Sequence, residues 1–367
     1  MKDIILFWNG MASNQLSGGD IFVKKYIEYS NKKVDVVLSG RAKEILPSNA
    51  SGKVYVTDSK LADGIAGLLR LYISRAVKST RYAAKNKSHY SLAVATSPFF
   101  YDLIPMLFTK ADKKAVILFH LLPKRKASSL ATKIRFTLAH IEQYVSLIII
   151  GKKVDVLMVG NDELRDVLVK RFPKKQIIIA HAGIDTVKLD TEKNTGIKDV
   201  NTAVFIGRLT TQKGILDLVD IAKKVEQLNP DFKCYVVGDG HDKEKFIQKI
   251  NKLQVKSLIL EGFVTDERKY ELMNMAHSFI FPSYEEGWGI ALAEALYFDC
   301  VSFTYELTHY RGLFADYPKY VELGDKGAMA DAINKLYTST VDPLQADFIR
   351  RYDDRKVVED INNALIS

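Results

Sequence analysis

Short apolar runs alternate with mixed polar stretches along the whole chain, a pattern typical of buried strands connected by helices. Runs in each half predict a separate parallel sheet, so we predict an α/β protein with two sheets. The runs of the first half are Ile4–Phe7, Val34–Leu38, Leu92–Ala95, Val116–Phe119, Val156–Val159 and Ile177–Ile179. Those of the second half are Ala203–Ile206, Cys234–Val237, Leu258–Leu260, Phe279–Phe281 and Val301–Phe303.

The segment that follows the run Phe279–Phe281 carries the most informative chemistry. Pro282 stops the strand, a turn with Gly287 and Gly289 follows, and an apolar helix then begins. Such a turn offers free backbone N–H groups and the positive end of a helix dipole, which suit an anionic ligand. Glu286 and Glu294 lie eight residues apart around it. Carboxylates accept hydrogen bonds from sugar hydroxyls, so the segment predicts a ligand that is both phosphorylated and polyhydroxylated.

A second strand-to-helix connection supplies positive charge. The run Ala203–Ile206 leads into a short loop that begins at Gly207 and ends at Gly214. Arg208 and Lys213 lie within it, where cations can neutralise a diphosphate. Taken alone, this loop is equally well explained as an ordinary connection with solvated cations, because the pattern is short.

Together the two segments resemble the nucleotide-sugar-dependent glycosyltransferases of family 4. The resemblance is collinear over about residues 200–300, and further matching pieces are Val236–Gly240, Glu261–Val264 and Leu272–Ala276. Nearer the N-terminus, the Gly18-Gly19 pair resembles the acceptor-side loop of that family. His120 stands where the family often has a histidine near the transferred sugar.

The resemblance implies a GT-B fold, with two Rossmann-like parallel-sheet domains facing each other across a cleft. The N-terminal acceptor-side domain would span residues 1–185, and the C-terminal donor-binding domain would span residues 186–343. A final helix over about residues 344–367 would pack back on the first domain. A chain of 367 residues is long enough for two such domains.

The implied reaction is the retaining transfer of a sugar from a nucleotide-diphosphate sugar to a hydroxyl acceptor, without a cofactor or a metal. The implied catalytic residues are Arg208, Lys213, Glu286 and His120, of which Arg208 and Lys213 would stabilise the departing diphosphate. Gly18, Gly19 and His120 would lie on the acceptor side. Glu286 would hold hydroxyls of the sugar, and Glu294 those of the ribose. The remaining donor-binding residues implied by the family are Gly207, Gly238, Gly262, Phe263, Val264, Gly287, Trp288, Gly289 and Ile290.

One stretch departs from the family pattern. Most relatives have a Gly-x-Pro turn after the second glutamate, whereas residues 297–301 here contain neither glycine nor proline. This leaves open a non-catalytic homologue that acts as the partner of an active transferase. A nucleotide-sugar epimerase, which shares the two-domain architecture, is a further alternative.

Charge is distributed unevenly. Residues 1–190 carry 31 Lys and Arg against 16 Asp and Glu, whereas residues 191–367 carry 22 against 28, so the halves have net charges of +15 and −6. The excess is concentrated in Arg70–Lys87 and Lys124–Arg135, where cations alternate with apolar residues, as in segments that contact anionic membranes. A solvated helix face would show the same composition.

These features define the expected location and acceptor. No apolar run reaches the roughly 18 residues of a membrane span, and the chain is predicted to be cytoplasmic, with peripheral contact to the inner face of the cell membrane. A glycan or lipid-linked saccharide would be the acceptor. A nucleic-acid-binding protein is the remaining alternative, but no motif supports it, so we expect no nucleic-acid partner.

Overall fold

The computed structural model describes residues 3–10, 18–58, 64–119, 121, 130–194, 196–336, 342 and 344–366. The chain divides into two compact units. The first unit comprises Met1–Ala182 and Asp354–Ser367, and the second comprises Gly183–Asp353. The boundary expected after residue 185 lies close to this division.

The first unit is built on a parallel sheet with the strand order β3-β2-β1-β4-β5-β6-β7. Its strands are β1 (Ile4–Trp8), β2 (Val34–Leu38), β3 (Val54–Val56), β4 (Tyr90–Ala95), β5 (Ala111–Leu118), β6 (Val156–Val159) and β7 (Gln176–Ile179). Its helices are α1 (Gly18–Tyr29), α2 (Gly40–Glu44), α3 (Gly64–Lys85), α4 (Phe100–Leu107), α5 (Leu130–Lys153) and α6 (Asp162–Arg171).

Side chains of the first sheet alternate between two cores, as the period of a strand requires. Leu6 and Trp8 of β1 lie in one core with α1, whereas Ile5 and Phe7 lie in the other with α3, α4, α5 and α6. Among the described residues, no helix is long and apolar enough to cross a membrane.

The second unit has the strand order β10-β9-β8-β11-β12-β13, and all its pairings are parallel. Its strands are β8 (Asp199–Ile206), β9 (Lys233–Val237), β10 (Leu258–Gly262), β11 (Ala276–Phe281), β12 (Val301–Tyr305) and β13 (Lys319–Val321). Its helices are α7 (Thr186–Glu192), α8 (Ile215–Leu228), α9 (Lys243–Leu253), α10 (Asp266–Met275), α11 (Ile290–Tyr297), α12 (Tyr310–Phe314), α13 (Lys326–Leu336) and α14 (Gln345–Ile349).

The C-terminal segment is not the single helix expected over residues 344–367. The short α14 stays with the second unit, where the Gln345 amide donates to the Leu296 carbonyl at 2.8 Å. After a 3-10 turn at Arg350–Tyr352, helix α15 (Asp354–Ile366) belongs to the first unit. There the Tyr26 hydroxyl of α1 donates to Asn362 at 2.7 Å.

Two strands were not predicted from the sequence. Both β3 and β13 have three residues and lie at sheet edges, where only part of each strand is buried. A short, half-exposed edge strand leaves no apolar run in the sequence, which explains the omission.

Candidate functional site

The candidate site lies at the carboxyl edge of the second sheet. In the order β10-β9-β8-β11-β12-β13, successive strands are added toward one side up to β10 and toward the other from β11 onward. The switch lies between β8 and β11, which are direct neighbours. Open parallel sheets bind ligands outside the carboxyl ends of their strands at this kind of switch point. The loops after β8 and β11, which contain Arg208, Lys213 and Glu286, start there.

These two loops are locked together by backbone contacts. The Tyr284 N–H donates to the Gln212 carbonyl at 2.8 Å. Gly214 has a φ of +69°, and a Cβ added to it would lie 1.7 Å from the Pro282 carbonyl oxygen. Only glycine fits this position, because both the positive φ and the close approach exclude a side chain.

The loop after β9 extends the same edge. The Gly238 N–H donates to the Gly262 carbonyl at 2.7 Å, and the Leu209 N–H donates to the Asp239 carbonyl at 3.0 Å. A Cβ on Gly238 would lie 2.0 Å from the Gly207 carbonyl oxygen. Three neighbouring loops are therefore held in one arrangement by their own backbones.

Asp242, at the start of α9, binds the loop that follows β8. Its Oδ2 accepts hydrogen bonds from the N–H and the hydroxyl of Thr211, each at 2.9 Å. The Lys245 ammonium, 2.7 Å from its Oδ1, and these Thr211 donors lower the pKa of Asp242 to about 2. The sequence analysis missed this residue, although its position three residues before Lys245 at the start of α9 is typical of a charged helix N-terminus.

Lys213 and Glu286 form an ion pair across the β8 and β11 loops. Both side chains are largely buried, and the Lys213 ammonium also lies 5.6 Å from the centre of the Phe281 ring. Arg208, by contrast, is exposed. The structure thus brings Arg208, Lys213 and Glu286 to one edge, with one cation open to solvent and the other already partnered.

Glu294 is buried in α11 and forms a second ion pair with a residue that the sequence did not indicate. The Lys269 ammonium of α10 contacts both carboxylate oxygens of Glu294, at 2.8 and 3.0 Å. Burial alone would lower the pKa of Lys269, but the charge and hydrogen bond of Glu294, together with Tyr270 and Asp266, outweigh it and the pKa is raised. Each of the two glutamates of the candidate site is therefore paired with a lysine.

The turn before α11 has an enclosed and an open part. Trp288 is buried, with its ring 5.7 Å from Phe314 and 5.2 Å from Tyr352, so its side chain serves packing. Gly289 has a φ of +102° and its Cβ position lies 3.2 Å from the Tyr310 hydroxyl. Gly287 has no atom within 4 Å of its Cβ position, and Ile290 begins the helix.

Two buried polar groups lie beside this turn. Neither Trp288 Nε1 nor the Tyr310 hydroxyl has a hydrogen-bond partner among the described residues. Burial and the charge of Glu286 raise the pKa of Tyr310, so its hydroxyl remains a donor. Buried donors are normally satisfied, which makes these two exceptional.

The loop after β10 presents an aromatic side chain to solvent. Gly262 has a φ of +71°, and Phe263, which follows it, is 90% exposed. Val264 is half-buried. An exposed ring at a ligand-binding edge offers a flat surface for stacking.

The first unit has a pocket of about 220 Å³ at its own carboxyl edge. Gly19 and Asp20 at the start of α1 line it, and the Trp8 indole donates to Asp20 at 3.1 Å. A Cβ on Gly19 would lie 2.8 Å from the Phe119 ring, whereas Gly18 has open space. His120 lies outside the described residues.

A buried carboxyl group organises this edge. Asp102 accepts from the backbone and side chain of Asn9, at 2.8 and 3.1 Å, and from the hydroxyls of Ser97 and Thr96, at 2.7 and 3.3 Å. Burial raises the pKa of Asp102 to about 7 despite these donors.

The family was tested by comparison with known proteins. The model of the family described as "Glycosyl transferases group 1" matches residues 187–354, which is nearly the whole second unit. Over this unit the chain is similar to the group 1 glycosyl transferases. The resemblance inferred from the sequence is thereby confirmed.

Curated relatives of this chain align over part of their length. An uncharacterized glycosyltransferase of Methanocaldococcus jannaschii is 28% identical over 156 residues, which cover 40% of this chain and 38% of that protein. The gpi3 polypeptide of phosphatidylinositol N-acetylglucosaminyltransferase from Schizosaccharomyces pombe is 27% identical over 136 residues, which cover 37% of this chain and 29% of that protein. The chain thus spans well under half the length of these relatives.

Solved structures match this chain over its full length. The crystal structure of Anabaena HepE in complex with UDP matches with a TM-score of 0.74 and 16% identity, covering 100% of this chain and 99% of that one. Likeness at this identity shows the fold. The predicted GT-B fold with two parallel α/β sheets is confirmed.

The described part of the chain contains no group of three or more His, Cys, Asp or Glu side chains placed to hold a metal ion. The cations of the candidate site are instead Arg208, Lys213 and Lys269. Metal independence stays a prediction, to be tested by activity in a chelator.

Proposed function

We propose that the protein is a retaining glycosyltransferase that moves a sugar from a UDP-sugar to a hydroxyl of a glycan or lipid-linked saccharide. The observation that carries this proposal is the convergence of Arg208, Lys213 and Glu286 at the switch point of the second sheet, with Glu294 on the adjoining helix. Two cations and two carboxylates meet the needs of a diphosphate that is flanked by two polyhydroxylated groups.

Arg208 and Lys213 have distinct parts in binding the diphosphate. The exposed Arg208 can form bidentate hydrogen bonds to phosphate oxygens without breaking an existing contact. Lys213 has three ammonium protons, so it can donate to a phosphate oxygen while it still donates to Glu286. Glu286 would then accept hydrogen bonds from hydroxyls of the transferred sugar beside the same phosphate. Stabilising charge that develops on the leaving group is the main catalytic contribution of such cations.

Other residues at this edge of the second sheet would supply the remaining contacts to the donor. Glu294, which is paired with Lys269, would accept hydrogen bonds from the ribose hydroxyls. Phe263 offers a face for the base. The amides at Gly287, Gly289 and Ile290 lie where α11 begins and would face phosphate or sugar oxygens. The unpartnered donor of Tyr310 lies beside this turn and would be satisfied by a sugar oxygen or an ordered water.

The choice of uridine rests on the structural neighbours, because HepE was crystallised with UDP and with UDP-glucose. The choice of acceptor rests on two observations. A relative is named for transfer to phosphatidylinositol, a membrane lipid. In addition, the acceptor-side residues Gly18 and Gly19 belong to the unit with the strongly basic half of the sequence. We therefore place the enzyme in the cytoplasm, in peripheral contact with an anionic membrane.

A donor screen tests the proposal. Thermal shift of the full chain would be measured with UDP-, GDP-, ADP- and dTDP-sugars, and hits would be followed by product analysis with and without acceptor. We expect stabilisation by UDP-sugars and a glycoside that keeps the anomeric configuration. An epimerised donor formed without acceptor would indicate an epimerase, and binding to a partner transferase without any turnover would indicate a non-catalytic homologue.

A further inference from the structure

The outward side of α5 is apolar over more than two turns. Its exposed large side chains recur every three or four residues, which places them on one face. They are Leu138, Ile141, Tyr144, Val145 and Ile148. The opposite side of this helix is already used, because Leu147 and Ile150 are buried in the core of the first unit. A helix that packs on one side normally shows polar residues on the other.

Helix α3 continues this surface. Leu69, Ile73 and Val77 are exposed and four residues apart, so they share one face. The two helices meet where the Tyr72 hydroxyl donates to Glu142, and both groups accept from the Phe100 N–H, at 3.0 and 2.8 Å. Ile73 and Ile141 are adjacent in sequence to Tyr72 and Glu142. We call the exposed residues of α3 and α5 the apolar face.

The apolar face is large for a surface in contact with water. Leu69, Ile73, Leu138, Ile141 and Tyr144 are each 53–62% exposed. Exposed apolar side chains grouped on adjoining helices mark contacts with proteins or membranes.

Charge identifies the occupant. By sequence, α3 and α5 carry nine Lys and Arg against one Glu, a net charge of +8. Two copies of this chain would bring the same positive charge together, which disfavours self-association through this surface. Apolar side chains among cations match an anionic bilayer, whose headgroups attract the charges while its acyl region accepts the apolar groups.

We infer that the apolar face of α3 and α5 inserts into the surface of an anionic membrane. This deepens the proposed function, since it says how the enzyme would approach a lipid-linked acceptor. It also changes the basis of the membrane contact expected from the basic segment Arg70–Lys87. Arg75 of that segment is buried and paired with Asp58 at 2.6 Å, so it is not available to lipid headgroups, whereas Lys78 donates to the Thr57 carbonyl and remains exposed.

The distinguishing property is salt dependence. A contact made by exposed cations alone is screened within about 8 Å at physiological salt. Burial of apolar area is not weakened by salt, so inserted side chains should retain the protein on vesicles after the charges are screened.

The test is cosedimentation of the full chain with phosphatidylcholine vesicles that contain about a quarter phosphatidylglycerol, in 0.1 M and 0.5 M NaCl. No donor or acceptor is added, so failure here is separate from failure of the proposed transferase activity. The variant is Leu138→Ser, Ile141→Ser and Tyr144→Ser together. The control is Val167→Ser, Val169→Ser and Val187→Ser, which removes equally exposed apolar groups elsewhere. Circular dichroism melting confirms that both fold.

We expect binding that persists in high salt, falls by at least about tenfold in the α5 variant and changes less than about twofold in the control. Binding that vanishes in high salt and ignores the α5 variant would overturn insertion and leave a purely electrostatic contact. Absence of vesicle binding would also overturn it. If ultracentrifugation then showed a dimer that the α5 variant dissociates, the surface would be assigned to self-association.

Discussion

The two sheets have related strand orders, but the polar groups at their carboxyl edges differ in charge. In the second unit the edge holds ionised groups in pairs, namely Lys213 with Glu286 and Lys269 with Glu294. In the first unit the central acidic group, Asp102, is surrounded by neutral donors, and burial raises its pKa to about 7. The net charges of the two halves of the sequence run the other way, at +15 and −6. Net charge therefore does not locate the charged site, whereas the loops at the switch point do.

The largest expected effect is on catalysis, at the cations of the second edge. Arg208→Ala should reduce transfer by about 10²-fold or more, because a contact to the developing charge is lost. Since Arg208 is exposed, the melting temperature should be unchanged. Lys252→Ala, an exposed cation at the end of α9, is the matched control and should retain full activity.

Lys213→Ala should show the same loss of activity together with a loss of stability. Unlike Arg208, Lys213 is the largely buried partner of Glu286. Removing one partner of a buried pair typically costs about 3–5 kcal/mol. Near-full activity in both alanine variants would place the donor site elsewhere.

The next effect concerns the rigid backbone of the second edge. Gly214→Ala should destabilise the second unit by at least about 2 kcal/mol, because alanine at a positive φ is strained and its Cβ meets the Pro282 carbonyl. Gly18→Ala, where the Cβ position is open, should leave the first unit unchanged. The two tryptophans report the units separately, since Trp8 lies in the first and Trp288 in the second. Urea unfolding of each glycine variant, read in a Trp8→Phe or Trp288→Phe background, measures both effects.

A smaller effect is expected at the second ion pair. Lys269→Met should raise the KM for the UDP-sugar by about tenfold with less change in kcat, because it leaves Glu294 buried without its cation. If Lys269 acts through the ribose contact of Glu294, the variant should also discriminate less against a 2′-deoxyribose donor. Lys188→Met, which breaks an exposed pair with Asp266, is the control. An unchanged KM would show that the pair serves packing alone.

The smallest expected effect is an opposite pH dependence of the two edges. The pKa of Asp242 is lowered to about 2, so its stabilising contribution is present above its unfolded value near 4 and is lost as pH falls toward 2. The pKa of Asp102 is raised to about 7, so its contribution is full below about 4 and is lost as pH rises through 7.

Asp242→Asn should therefore make the free energy of unfolding of the second unit less dependent on pH in acid. Asp102→Asn should do the same for the first unit as pH rises through neutrality. Asp242→Asn and Asp102→Asn would be unfolded in urea at pH 3, 5 and 8, with the single-tryptophan readouts described above. Parallel pH profiles for both variants would contradict the assignment of these groups.

The sequence was sufficient for the two sheets and for the residues of the second edge that follow strands directly. Arg208, Lys213, Glu286 and the glycines around them stand at fixed distances from apolar runs, so the fold determines where they meet. It could not supply Lys269 as the partner of Glu294. These residues are 25 positions apart on two helices, and only packing makes them neighbours.

The apolar face could not be predicted from the sequence for a related reason. The apolar run at residues 145–150 belongs to helix α5, in which Leu147 and Ile150 are buried whereas Val145 and Ile148 are exposed. Periodicity predicts that a helix has a buried side without saying which of two apolar sides it is.

The central claim, that the carboxyl edge of the second sheet binds the nucleotide sugar, is tested most directly by hydrogen–deuterium exchange of the full chain with and without saturating UDP. The claim predicts slower exchange in peptides that cover residues 207–214 and 284–294, and loss of that protection in Arg208→Ala. UDP binding that protects only peptides of the first unit, or that protects the second edge equally in Arg208→Ala, would contradict it.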